Sequence, residues 1–287
     1  MLSSYFGENI MNIYLEEKIG NPALFTGRKK ELDSLLKWVE QIKPKVSKSK
    51  AIISRRKTGK SALMQRLFNI VFHQNDQVVP FYFEFRESGQ WIGDLARDFF
   101  FTFVRQYLAF QSRNAGYLKN IDNYETLIKA AKKEGLDYLS DYIEIFEDTE
   151  NRGYIDQLWD IARDAPRMIA QYKDERVLQI IDEFQFINRY IFRDQACKDC
   201  LSELAGSYLH TAEYKNAPLL VSGSWVGWLM DDLNKMLPGR FTISTFMGNM
   251  PKNEAIEMAL NYAEIQQIPI THETACVMAD FTEGNPF

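Results

Sequence analysis

The sequence predicts an α/β protein built on a doubly wound, mostly parallel sheet with helices on both faces, extended by a helical insertion and a small C-terminal helical unit. Three observations carry that expectation. Runs rich in β-branched and aromatic residues recur at 50–53, 78–85, 177–181, 218–222 and 241–246, and helical periodicity fills the stretches between them. The first run leads through Ser54-Arg55-Arg56-Lys57-Thr58-Gly59-Lys60-Ser61 into an amphipathic segment. The third run ends in two adjacent carboxylates, Asp182 and Glu183.

Taken in order, residues 1–20 mix apolar and polar positions without a period and read as an N-terminal arm. Asn21-Pro22 breaks the chain, and Leu32, Leu35, Leu36 and Val39 then form a helical stripe that ends near Lys43-Pro44. A Lys/Ser run links it to the first strand. Leu63, Met64, Leu67, Phe68 and Val71 mark the helix behind the loop, and a further helix is expected from about 91 to 110. Residues 111–170 are helical in tone with intermittent apolar faces, which predicts a helical insertion packed on the core. From Pro251 onward, stripes at Ile256, Ala259, Leu260 and Ala263 and at Ala275, Val277, Met278 and Phe281 predict a small helical unit that looks truncated. The expected division is an arm at 1–20, an α/β domain at 21–248 and a helical unit at 249–287.

Composition sets the limits. With 287 residues and 46% hydrophobic content a sizeable core is expected. A net charge of −5 argues against wholesale coating of nucleic acid, although Lys43, Lys45, Lys48, Lys50, Arg55, Arg56 and Lys57 leave room for a local basic face. No apolar run approaches the ~18 residues that span a bilayer, so no membrane association and a cytoplasmic location are expected. Three cysteines fit a reducing compartment. Two of them form Cys197-Lys198-Asp199-Cys200, read as part of a helix, with too few neighbouring ligands for a structural zinc site.

The loop has the chemistry of a phosphate cradle. Backbone N–H groups from Arg56 to Ala62 would hold phosphate oxygens, Lys60 would reach the β and γ phosphates, and the Ser61 hydroxyl would bind Mg²⁺. The usual pattern is G-x-x-x-x-G-K-[ST], and Ser54 stands where its first glycine is expected. Asp182, at the end of a buried parallel strand, would hold the metal through its water shell, and Glu183 would orient and deprotonate an attacking water. Ser224, closing the fourth strand, would sense the γ-phosphate. Arg240, before the fifth, would reach a phosphate in its own or a neighbouring subunit. Asn234-Lys235-Met236-Leu237 lacks the Asp that reads guanine, so ATP is expected over GTP.

Together these residues resemble the AAA+-related signal-transduction ATPases with numerous domains (STAND), and among them the archaeal-type ATPase group. Phe25-Thr26-Gly27-Arg28-Lys29-Lys30-Glu31-Leu32 is similar to the family's G-R-E-x-E element, Ser54 to Ser61 to its Arg-rich Walker A, and Ile181-Asp182-Glu183-Phe184-Gln185 to its Walker B. Arg240 falls on its late Gly-Arg, and Gly284-Asn285-Pro286-Phe287 resembles its G-x-P element. The resemblance implies a P-loop NTPase sheet with a C-terminal helical lid, in which Gly27 and Arg28 close the nucleotide site and Pro286 packs on the base. Thr26, Lys29 and Ser54 depart from the pattern, and the insertion at 111–170 is outside it. The implied activity is an Mg²⁺-dependent ATPase acting as a molecular switch for a downstream output domain, often a winged helix or a nuclease-like module, with ATP and ADP as ligands and a protein partner or self-association. Two alternatives stand beside it: a non-hydrolysing, nucleotide-gated interaction scaffold, and an ATP-regulated DNA-binding protein.

Overall fold

The computed structural model describes residues 14–74, 76–119, 121–224 and 226–287, and all five expected strands form. They are β1 (Ser49–Ser54), β2 (Val78–Glu84), β4 (Arg176–Asp182), β6 (Leu219–Gly223) and β7 (Phe241–Met247), with β3 (Gln90–Trp91) and β5 (Ile191–Phe192) pairing separately as a two-stranded ribbon. The large sheet is parallel in every pairing and runs β2-β4-β6-β1-β7. The register sets Glu84 opposite Asp182, Ile53 opposite Gly223 and Ser54 opposite Met247, which brings the strands' carboxyl ends to one edge. Parallel sheets bury both faces, and the burial of β1, β2, β4 and β6 along nearly their whole lengths follows from that.

Helices α1 (Lys29–Glu40), α2 (Lys60–Gln74) and α3 (Ile92–Ser112) follow the expected stripes closely. In α2 the apolar set Leu63, Met64, Leu67, Phe68 and Val71 is buried. The 111–170 stretch folds into α4 (Tyr124–Lys133), α5 (Asp137–Asn151) and α6 (Ile155–Tyr172). Its faces join the same core as the sheet: Phe146 stacks flat on Phe100 of α3 with centroids 4.0 Å apart, and Trp159 packs edge-on to Phe99. Helix α6 runs along α3 and packs on β4. It is therefore part of the sheet's own cover.

After α7 (Val226–Met236) and β7, the chain ends in α8 (Lys252–Ile265) and α9 (His272–Phe281). These two pack on each other around a small separate cluster of Met250, Ala255 and Ala279. Here one expected stripe is corrected. On α9 the buried face is Ala275 and Ala279, whereas Val277, Met278 and Phe281 are exposed, Phe281 at 91%. Small residues let α9 approach α8 closely, and the larger ones are left outside.

Cys197 to Cys200 also correct the sequence reading, because they form a turn. The Asp194 carboxylate accepts the N–H groups of Lys198 at 3.0 Å and Asp199 at 2.7 Å, and Cys197 has φ +54°. A side chain that satisfies successive backbone donors in this way competes with helix formation. Of the 1–20 arm, residues 1–13 lie outside the described residues. The rest is strapped along α2: Asn69 accepts the N–H groups of Tyr14 and Leu15, and Gln65 that of Lys18. Among the described residues no helix is long and apolar enough to cross a membrane.

Candidate functional site

The loop after β1 needs backbone that few residues adopt. Lys57 has φ +64° and Gly59 φ +85°, the left-handed region where glycine is at no cost. Ser54, in place of the usual first glycine, is buried, and its hydroxyl lies 2.9 Å from that of Thr58, which also donates to the Arg55 carbonyl at 3.0 Å. The substitution closes the base of the loop with a hydrogen bond and leaves the turn intact. Helix α2 begins at Lys60, so its unpaired N-terminal N–H groups and positive dipole end face the loop.

Asp182 does not sit on the strand next to β1, as a direct reading of the motif suggests, because β6 lies between β4 and β1. Lys60 spans the gap. Its ammonium lies 3.1 Å from Asp182 Oδ1 and 2.7 Å from Glu183 Oε1. Burial works against the charge on Lys60, but the two carboxylates outweigh it and raise its pKa. Asp182 is fully buried, which alone would raise its pKa. The Lys60 charge and hydrogen bonds from Ser222, Ser61 and Lys60 reverse that and hold it below the ordinary carboxylate value. The Tyr82 hydroxyl donates to Asp182 Oδ2 at 3.2 Å, and burial together with that carboxylate pushes the phenol's pKa well up, so it stays a donor.

Glu183 is held by a second set of contacts. Its backbone is left-handed at φ +53°, and its N–H donates to Asp182 Oδ1 at 2.9 Å. Oε2 accepts the Ser224 hydroxyl at 3.0 Å and the Gln185 amide, and the same amide lies 3.3 Å from Ser224 Oγ. Gln185 is fully buried, and its Oε1 has no partner among the described residues.

These groups open on a cleft of ≈870 Å³. That is the size of a small-molecule site. One part of the lining is Arg56, Lys57, Thr58, Gly59, Lys60, Ser61, Ala62, Glu183 and Ser224, and another is Leu24, Phe25, Met250, Met258 and Tyr262. The first is cationic and rich in donors. The second is an apolar slot. Pro286 closes over the loop, its ring 3.9 Å from where a Cβ on Gly59 would stand, and Lys57 lies over the Phe287 ring at 5.0 Å.

Arg28 lines the cleft too, but its guanidinium is engaged in structure. It donates to the Thr58 carbonyl at 2.7 Å and the Gly248 carbonyl at 2.8 Å, linking the loop to the turn between β7 and α8. Its backbone N–H donates to Glu254 of α8 at 2.7 Å. Gly27, φ +74°, is where α8 comes closest: a Cβ there would overlap Met250 and Glu254. It serves that contact and does not line the cleft.

Arg240 does not join the site within its own chain. It precedes β7, whose first residue pairs with Ser49 at the start of β1, so it lies at the opposite edge of the sheet from the loop. There it pairs with Glu213 at 2.5 Å. The run from Lys43 to Lys57 is likewise divided between the two edges by β1, and no single basic face forms from it. Lys43 pairs with Glu40 and Asp76, Lys45 with Asp174, and Arg56 with Glu87.

Of the residues singled out from the sequence, Lys60, Ser61, Asp182, Glu183, Ser224 and Pro286 lie around the loop in the fold. Sequence reasoning missed Tyr82, Ser222, Gln185 and Glu254. A polar residue near the end of a strand was the available signal for Ser222, and Gln185 lies in the short helical turn that follows β4. Nothing local marks Tyr82 or Glu254.

No family model matches this chain, and no curated protein does. Solved structures do. The Walker-type ATPase PABY2304 of Pyrococcus abyssi aligns with 98% of this chain and 68% of its own at 14% identity, with a TM-score of 0.55. The Aeropyrum pernix ORC2 protein aligns in its ADP form with 99% of this chain and 63% of its own (13% identity, TM-score 0.48), and in its ADPNP–ADP complexes with 96% and 59% (13%, 0.44). The Pyrococcus likeness, together with the parallel sheet and its surrounding helices, establishes the α/β fold of the P-loop NTPases.

Proposed function

We propose that this chain binds ATP with Mg²⁺ and hydrolyses it as a molecular switch of the AAA+/STAND kind, with the nucleotide state read by the helical unit at 249–287 acting as a lid. The observation that carries this reading is the convergence of Lys60 on Asp182 and Glu183 at the mouth of the phosphate loop. A lysine, a hydroxyl and two carboxylates match recurring parts of P-loop sites that transfer a phosphoryl group to water.

In that reading the loop N–H groups and Lys60 bind the phosphates. The donors Ser61 and Asp182 are hard oxygens suited to Mg²⁺, which typically keeps several waters and shares its coordination with substrate phosphates. When bound, the ion would neutralise charge on the β and γ oxygens. Glu183 takes the water's proton, and Ser224 and Gln185 fix the direction of its carboxylate. The apolar slot takes the base. Separate cores support a movable lid: α8 and α9 pack mainly on each other and reach the sheet domain through Glu254, Asn261 and Glu257.

The test is single-turnover and steady-state hydrolysis of Mg-ATP by the wild type, Glu183→Gln and Lys60→Ala. Glu183→Gln should bind ATP normally and lose about a hundredfold or more in kcat, the scale of a general base. Lys60→Ala should lose ATP affinity as well. Wild-type turnover no faster than that of Glu183→Gln would leave only the nucleotide-gated scaffold.

A further inference from the structure

Three polar residues on the buried side of α2, Gln65, Arg66 and Asn69, have no part in phosphate chemistry, yet all are sequestered from solvent or nearly so. Most of their hydrogen bonds go to one place, the segment from Tyr14 to Lys18, and Gln65 also bonds Tyr82 beside Asp182. Asn69 Oδ1 accepts the N–H groups of Tyr14 at 3.0 Å and Leu15 at 2.8 Å, and its amide donates to the Leu15 carbonyl at 2.9 Å and to Glu17 at 3.0 Å. Gln65 accepts the N–H of Lys18 at 2.8 Å. Arg66 forms a two-point pair with Glu17, both contacts at 2.8 Å, and the Glu17 carboxylate has no solvent exposure.

Arg66 then does two further things. It donates to the Pro22 carbonyl at 2.7 Å, and its guanidinium lies flat enough over the Phe25 ring to stand 4.4 Å from the centroid. Phe25 and Ile19 line the apolar slot of the cleft. A buried two-point ion pair is a device that fixes geometry more than it adds stability. From the same segment Lys18 crosses to Glu84, which stands opposite Asp182 in the β2–β4 register.

We propose that Glu17, Arg66 and Asn69 are positioning residues for the base end of the nucleotide, which hang the segment Tyr14–Ile19 from the phosphate-binding helix and so fix Lys18, Ile19 and Phe25 as a wall of the cleft. The inference rests on the nucleotide reading of the cleft. It assigns nucleoside affinity and phosphate affinity to opposite sides of one helix: the N-terminus of α2 holds the phosphates, and its second and third turns hold the wall.

The experiment separates the two ends with two probes, ADP and inorganic tripolyphosphate, titrated by calorimetry against the wild type, Glu17→Gln, Arg66→Lys, the double variant Glu17→Gln/Arg66→Gln, and Lys60→Ala. Glu17→Gln should weaken ADP by about tenfold, the scale on which a misplaced positioning group acts, and leave tripolyphosphate within twofold. Arg66→Lys, which keeps the charge but not the fork, should weaken ADP less. The double variant restores a neutral pair and should recover part of the loss. Lys60→Ala, by contrast, should weaken both probes, because Lys60 holds phosphates that ADP and tripolyphosphate share. Unchanged tripolyphosphate binding also reports that each variant is folded. Equal loss of both probes in Glu17→Gln, or no loss of ADP, overturns the inference, whereas a wild type that binds neither probe overturns the nucleotide reading beneath it.

Discussion

The two ends of the cleft are built by different means. At the phosphate end, Lys60, Asp182, Ser222 and Tyr82 are buried on strand ends and the first turn of α2, and they share hydrogen bonds over about one carboxylate's width. At the base end, the wall is assembled from segments distant in sequence, including Phe25, Met250 and Tyr262, and several of its ties lie at the surface. One end is a rigid product of sheet register. The other joins the sheet domain to the separate α8–α9 cluster. The proposed switch would use this asymmetry, because reacting groups must stay fixed while a cover shifts.

The largest effect should come from breaking the rigid end. Asp182→Ala removes one of two carboxylates from a buried lysine, and the loss of a buried pair's partner typically costs about 3 kcal/mol. Urea unfolding should show a lower midpoint with an unchanged slope. The pH dependence has a defined sign. Asp182 is depressed below 3.8, so its contribution is present above that value and is lost as pH falls through the folded-state pKa. Lys60 is raised above 10.5, so its contribution is present below 10.5 and is lost as pH rises through the folded-state value. The wild type should hold this stabilisation from about pH 4 to about pH 10. The difference between wild type and Asp182→Ala should shrink at both extremes, and a difference independent of pH would show that the pair is not ionised as described.

An intermediate effect is expected at the junction. Gly284 has φ +73°, and an added Cβ would overlap the Met250 carbonyl, a backbone atom that cannot rotate away. Met250 N–H donates to the Gly284 carbonyl at 2.8 Å, so the substitution strains the point where the turn after α9 meets the segment leading into α8. Gly284→Ala should cost about 1–3 kcal/mol in the lid alone. Hydrogen exchange should rise in α8 and α9 and stay unchanged in β1 and β4. Uniform acceleration through the sheet would mean that the two regions unfold as one.

The same contrast explains what the sequence disclosed. Lys60, Ser61, Asp182 and Glu183 were legible because each falls at a fixed offset from a strand whose period is visible, and five strands and their helices followed from the same periodicity. Tyr82 was not, because its role depends on which strand lies beside β4. Glu254 meets Arg28 across 226 residues, and no local pattern carries such a contact. Arg240 was assigned on its match to the family's late Gly-Arg, for a phosphate of its own or a neighbouring subunit, but in an all-parallel sheet the start of β7 lies at the edge away from its own chain's loop. The turn at Cys197 looked helical because the caps supplied by Asp194 are tertiary in effect though local in sequence.

The smallest effect tests a surface tie of the junction. Lys29 stands where the resembling family carries an acid, and its ammonium lies 3.0 Å from both carboxylate oxygens of Glu257 on α8. Both side chains are about half exposed, at 48% and 49%. Water and salt screen such a pair, so Lys29→Ala should cost about 0.5 kcal/mol or less. Lys29→Glu restores the family's charge and faces Glu257 with a like charge, so it should weaken closure slightly more. Measured as ADP affinity, both variants should stay within about threefold of wild type, which is under 0.7 kcal/mol. The Lys29→Glu penalty should fade in 0.5 M salt. A loss of tenfold or more that persists in high salt would mean that Lys29 acts on the nucleotide itself, and the base end would then owe part of its affinity to a charge and not to its wall.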